Sequence, residues 1–160
     1  MSESGNAIHG CLDGLIAVVT GAAQGLGLGI AEQLAVSGAT VIIADLQTEK
    51  AEIEANQLQK NGLSVNGAYL DVTDSKGVTA FFDGVVSDYN RLDILVNNAG
   101  IGQNVTPVVE LSDAEWGRVL DVTLTGTFYC CRAASKIMER QESGSIVNLA
   151  SINGQSPAAL

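Results

Sequence analysis

A glycine-rich turn, Thr20-Gly21-Ala22-Ala23-Gln24-Gly25-Leu26-Gly27, separates a short apolar run from an amphipathic segment. The run before it, residues 15–19, is rich in β-branched residues, which is typical of a buried parallel strand. After the turn, Leu26, Ile30 and Leu34 recur every fourth position and predict a helix. A helix N-terminus presents unpaired N–H groups and the positive end of its dipole, and glycine lets a ligand approach the backbone. The turn is therefore either a phosphate-binding loop or a purely structural break. The candidate phosphate-binding residues are Gly21, Ala23, Gln24, Gly25, Leu26 and Gly27.

Short apolar runs and amphipathic segments alternate along the rest of the chain. Further strands are predicted over residues 39–44, 64–70, 93–97 and 145–150. One helix is predicted to begin at Thr48, and a second to follow a cap at Asp74. A third is predicted over residues 113–139, after a capping box formed by Ser112 and Glu115. Trp116 and Phe128 are among the core candidates of this third helix. This pattern predicts an α/β fold, a three-layer doubly wound parallel sheet with strand order 3-2-1-4-5. We expect residues 11–160 to form one dinucleotide-binding domain behind a flexible arm, residues 1–10.

Polar residues and glycines follow each predicted strand, at the sheet edge where ligands of such folds bind. Asp45 lies about 20 residues after the glycines, a position suited to accept hydrogen bonds from an adenosine ribose. A 2′-phosphate there would be repelled by up to ~4 kcal/mol per charge pair at 4 Å. Asp45 therefore favours NAD over NADP, while an exposed acid at a strand end is the alternative.

The other strand ends allow more than one role. Asp71 either caps its turn or reaches the adenine amino group. In the run from Asn97 to Gly100, amides can tie strands together while Asn98, Ala99 and Gly100 let a cofactor lie close to the backbone. Ser151 follows the fifth strand, and because no histidine base accompanies it, a hydrogen bond to a substrate oxygen is favoured over a nucleophilic role.

Composition excludes several classes of function. A net charge of −10 argues against a nucleic-acid partner. Three cysteines without CxxC spacing and a single histidine, His9, indicate neither a disulfide framework nor a metal site. No apolar run approaches ~20 residues, so no membrane span is predicted. The first ten residues lack the features of a signal peptide, and together with the cysteine usage this favours a cytoplasmic location.

Taken together, these motifs resemble the classical short-chain dehydrogenase/reductase family. The resemblance rests on the glycine turn, Asp45, Asp71-Val72, the Asn97–Gly100 run and the segment ending at Ser151. It implies a Rossmann fold that binds NAD, and an NAD-dependent hydride transfer between an alcohol or ketone substrate and the nicotinamide. It further implies cofactor contacts by Leu46 and Val72, an oxygen-orienting role for Ser151, and a homo-oligomer that forms through helix 113–139.

Two departures from the family pattern qualify this expectation. Thr123 stands where the family usually carries an asparagine of its proton relay. The family's Tyr-x-x-x-Lys, expected about a dozen residues after Ser151, is not found before Leu160, and neither are the family's last strands. We therefore expect the 160-residue chain alone to bind a dinucleotide but to be inactive. The alternative is a non-catalytic, truncated dinucleotide-binding or interaction protein.

Overall fold

The computed structural model describes residues 10–102 and 106–152. Residues 1–9 of the predicted arm, which include His9, lie outside the described residues, as do residues 103–105 and 153–160. The strands are β1 (Ile16–Thr20), β2 (Thr40–Asp45), β3 (Val65–Tyr69), β4 (Ile94–Asn97) and β5 (Ser145–Asn148). The helices are α1 (Gly25–Val36), α2 (Thr48–Lys60), α3 (Ser75–Tyr89), α4 (Asp113–Leu120) and α5 (Thr127–Gln141).

All five strands are parallel and lie in the order β3-β2-β1-β4-β5, which confirms the predicted doubly wound sheet. Alternate residues of β1 point to opposite faces. Ala17 and Val19 pack with the apolar side chains of α1 and α2, whereas Val18 packs with those of α3 and α5. The domain therefore has three layers, with a core on each side of the sheet.

Local chemistry sets where the helices begin and end. The Asp74 carboxylate accepts the Lys76 N–H at 3.0 Å and so caps α3, while Asn90 ends that helix in the left-handed conformation, with φ of 62°. Ser112 caps α4 by accepting the Glu115 N–H at 3.2 Å, as its spacing predicts. None of the described helices is long and apolar enough to cross a membrane.

The predicted helix 113–139 differs from the structure in two respects. It is divided by a π-helical turn, residues Asp121–Gly126, between α4 and α5. The prediction that Trp116 and Phe128 belong to the core is wrong, because they are 57% and 54% exposed. The helix buries its other face instead, through Cys130, Ala134, Ile137 and Met138.

Candidate functional site

The glycine turn lies between β1 and α1 and is held tightly against the end of β4. The Asn98 side chain donates to the carbonyl oxygens of Thr20 and Gly21, both at 2.9 Å. In return, the Thr20 hydroxyl accepts the N–H groups of Asn98 at 3.1 Å and Ala99 at 3.0 Å. A Cβ on Gly21 would lie 2.8 Å from the Ala99 Cα, so only glycine permits this approach.

The start of α1 has the properties of an anion-binding cradle. Gly25 has φ of +60°, and apart from its chain neighbours and the nearby backbone of its own helix nothing lies within 4 Å of the place where its Cβ would be. Gln24 precedes the helix in an extended conformation, and its side chain makes no capping hydrogen bond. The Gln24 side chain therefore leaves the N–H groups of the first helical turn uncapped. These N–H groups face open space, an arrangement that fits a phosphate group.

Asp45 is buried at the end of β2, with 7% of its surface exposed. One carboxylate oxygen accepts the Ala23 N–H at 3.0 Å and the other accepts the Gln47 N–H at 2.9 Å. Asp45 therefore ties the glycine turn to the loop before α2. Each oxygen keeps a further lone pair for a ligand hydroxyl, so the structural and ribose-binding roles are compatible.

These strand ends surround a cavity of about 450 Å³. Of the predicted cofactor residues, it is lined by Gly21, Gln24, Leu26, Gly27, Asp45, Leu46, Asp71, Val72, Asn98, Ala99 and Gly100. Sequence reasoning missed Gln47, Leu70, Ile101 and Val122, which also line it. Each of these four is a direct neighbour of a predicted site residue, and that adjacency is the signal that could have found them.

Four predicted residues are not among those lining the cavity. Ala23 is fully buried, and its N–H donates to the Asp45 carboxylate. Gly25 is exposed at the helix start. Thr123 lies in the π-helical turn, and Ser151 is exposed beyond the end of β5.

Two of the predicted polar side chains have local partners. The Asp71 carboxylate accepts the N–H and the hydroxyl of Thr73, at 2.9 and 2.7 Å, so its turn-capping role is present. The Thr123 hydroxyl donates to the Val119 carbonyl at 2.6 Å, one helical turn earlier. Its proton is therefore used within the helix, and the contribution of Thr123 to a proton relay stays a prediction.

Asn97 joins β4 to β5. Its side-chain N–H donates to Asn148 Oδ1 at 2.8 Å and lies 3.2 Å from the Cys131 sulfur. Asn97 and Asn98 therefore both use their side-chain amides to tie neighbouring strands together, which is one of the two predicted roles. In the described part of the chain, no group of three His, Cys, Asp or Glu side chains could hold a metal ion.

A profile described as short chain dehydrogenase matches residues 15–160, nearly the whole chain. The chain belongs to this family. It is 43% identical to D-threitol dehydrogenase of Mycolicibacterium smegmatis over 140 residues, which cover 88% of the chain and 54% of that protein. This short-chain dehydrogenase chain thus spans about half the length of the curated relatives it matches.

Solved structures of dehydrogenases and oxidoreductases share the fold. NAD+-bound xylitol dehydrogenase has a TM-score of 0.89 at 32% identity, covering 92% of this chain and 57% of that one. A metagenomic short-chain oxidoreductase in complex with NADP has a TM-score of 0.88 at 34% identity, covering 92% and 67%. Similar folds therefore hold either nicotinamide cofactor.

Proposed function

We propose that this chain is the cofactor-binding part of an NAD-dependent oxidoreductase, which transfers hydride between an alcohol or ketone and nicotinamide. The observation that carries the proposal is the cradle of the glycine turn beside the buried carboxylate of Asp45, at one end of a single cavity. The uncapped N–H groups of α1 would bind the pyrophosphate, and Asp45 would accept the ribose hydroxyls. Asp71 and Val72 would border the adenine.

The bound nicotinamide would supply or accept the hydride. Asn98, Ala99 and Gly100 would let it lie against the end of β4, and Ser151 would donate a hydrogen bond to the substrate oxygen. The names of the threitol and xylitol dehydrogenases support a polyol as the substrate class.

Calorimetric titration of the 160-residue chain with NADH tests the cofactor site. We expect saturable binding, and we expect Gly25→Val to abolish it, because valine is strained at φ of +60° and fills the cradle. Gly29→Val is the matched control, since Gly29 lies in the same helix with nothing within 4 Å of its Cβ position. An intact chain that binds no NADH, or a Gly25→Val variant that binds it normally, would contradict the proposal.

A second candidate function is dinucleotide binding without turnover. It is favoured by the sequence, because none of Tyr69, Tyr89 and Tyr129 is followed by lysine four residues later. General acid and base catalysis contributes roughly 10²–10⁴-fold to a rate. We therefore expect binding of NADH but no NAD+ reduction by the 160 residues with a panel of polyols; measurable turnover would exclude this second candidate.

The same chain is proposed to act in the cytoplasm and to form homo-oligomers through helix 113–139. Exposed Trp116, Leu124 and Phe128 on that helix support the second point, since large apolar side chains in contact with water favour association. Light scattering of the intact chain and of Phe128→Ser tests it: the variant should have the lower mass. A monomeric intact chain would contradict it.

A further inference from the structure

Lys50 brings a positive charge to Gln24, one of the residues that line the cavity together with Asp45. It is the third residue of α2, and its ammonium donates to the side-chain oxygen of Gln24, which lines the cavity. Gln24 follows Ala23, and Lys50 comes one helical turn after Gln47. Ala23 and Gln47 are the residues whose N–H groups bind the Asp45 carboxylate. The Lys50–Gln24 contact therefore joins the same two segments as Asp45 does.

This ammonium changes the electrostatics expected from the sequence. The preference for NAD over NADP was predicted from the negative charge of Asp45 alone. In the structure, the Asp45 carboxylate already accepts two N–H groups, and the oppositely charged Lys50 ammonium contacts Gln24, which lines the same cavity as Asp45. Among the described residues, no lysine or arginine lines the cavity itself. Lys50 is the described cation whose side chain is hydrogen-bonded to a lining residue.

The partner of Lys50 is one that a phosphate could readily replace. The Gln24 amide oxygen is neutral, and Gln24 is exposed, whereas Lys50 is half-buried. An ammonium binds a phosphate more strongly than it binds a neutral amide, and the four-carbon stem of lysine lets the charge move to it.

We propose that Lys50 is a specificity-determining residue that lets this site accept a 2′-phosphorylated cofactor, NADPH, alongside NADH. Its ammonium leaves Gln24 and binds the 2′-phosphate, which offsets the repulsion from Asp45. The inference rests on the proposed dinucleotide function and concerns only the adenosine ribose end of the site.

Titration of the 160-residue chain with NADH and with NADPH, in parallel, tests the proposal. We expect Lys50→Met to weaken NADPH binding by about tenfold, the loss of one hydrogen bond to a charged group. NADH affinity should change by less than about twofold, a difference too small to indicate a lost contact. Lys50→Arg, which keeps the charge, should retain NADPH binding. Lys60→Met, at the far end of the same helix, should alter neither affinity.

The salt dependence provides an independent measurement. NADPH affinity of the intact chain should fall more steeply with ionic strength than NADH affinity, and Lys50→Met should remove much of that difference. Equal weakening of both cofactors by Lys50→Met would overturn the proposal, as would an intact chain that binds NADH but not NADPH. Failure to bind either cofactor would instead refute the dinucleotide function, and this inference with it.

Discussion

Two regions of one sheet differ sharply in how completely they are enclosed. β1 is buried along its whole length. Asp45 joins the loop after β1 to the loop after β2, and the bonds between Thr20 and Asn98 join the end of β1 to the end of β4. β5 has the same parallel pairing, but most of its residues are exposed, and Val147 is 48% exposed. β1 has a neighbour on both sides, whereas β5 pairs, among the described residues, with β4 alone. The cofactor end of the cavity is therefore formed within the described chain, while Ser151 stands at an open edge.

The largest expected effect tests whether solvent reaches the core that packs beneath β5. Cys130 is fully buried there, and burial, together with the neighbouring Cys131, raises the pKa of its thiol to about 12. At pH 8 only about one thiol in 10⁴ is then ionised. In a Cys131→Ala background, Cys11, which is exposed, should react with a thiol reagent at least ~10³-fold faster than Cys130. Mass-resolved labelling measures both rates; equal rates would mean that the second region is open to its centre.

The tight packing of the first region is tested by adding one methyl group. A Cβ at Gly27 would lie 2.4 Å from the Asn98 amide nitrogen and 2.8 Å from the Gly21 carbonyl oxygen. Gly27→Ala should therefore lower the free energy of unfolding by about 3 kcal/mol and weaken NADH binding. Gly29→Ala, in open space on the same helix, should raise stability by up to about 1 kcal/mol. Urea denaturation compares them, and similar effects of the two would refute the packing argument.

The contrast between β1 and β5 can be measured with one type of substitution. Val18→Ala removes a side chain with 0% exposure and should cost about 2 kcal/mol of unfolding free energy. Val147→Ala removes one that is 48% exposed and should cost less than about 0.5 kcal/mol. Equal losses in thermal or urea unfolding would show that β5 is covered in solution, for example by a second copy.

The smallest effect concerns the end of the sheet opposite the cavity. There Asp93, before β4, accepts the Ile16 N–H at 2.8 Å and forms two 2.7 Å bonds with Arg91, linking the two regions. Burial alone would raise the pKa of Asp93, but the bonds from Arg91 and Ile16 outweigh it and lower the pKa below its ordinary 3.8. The carboxylate therefore stabilises the fold at neutral pH, and this contribution is lost as the pH falls through the lowered pKa.

We expect Asp93→Asn to cost about 1–2 kcal/mol at pH 7. The difference between the intact chain and the variant should shrink as the pH is lowered below 3.8. Unfolding free energies measured across this range check the sign. If the difference instead grows on acidification, burial and not the bonding to Arg91 and Ile16 sets the direction of the pKa shift of Asp93.

Much of the fold follows from local pattern. The strand order, the caps at Asp74 and Ser112 and most of the cavity wall were predicted, because glycine turns, capping side chains and strand ends act over a few residues. Burial along α4 and α5 was predicted only in part: Ile137 and Met138 are buried as expected, whereas Trp116 and Phe128 satisfy the helical period yet face solvent. Periodicity identifies an apolar face but not whether another element covers it.

Residue types at fixed spacings were enough to predict the doubly wound sheet, the family and the position of the glycine turn and Asp45. What those residues contact became visible in the folded chain. It showed Asp45 holding two loops together, the Thr123 hydroxyl bonded within its own helix, and Lys50 reaching Gln24 from 26 residues away. Contacts between distant segments depend on how helices pack on the sheet, and no local spacing encodes that packing.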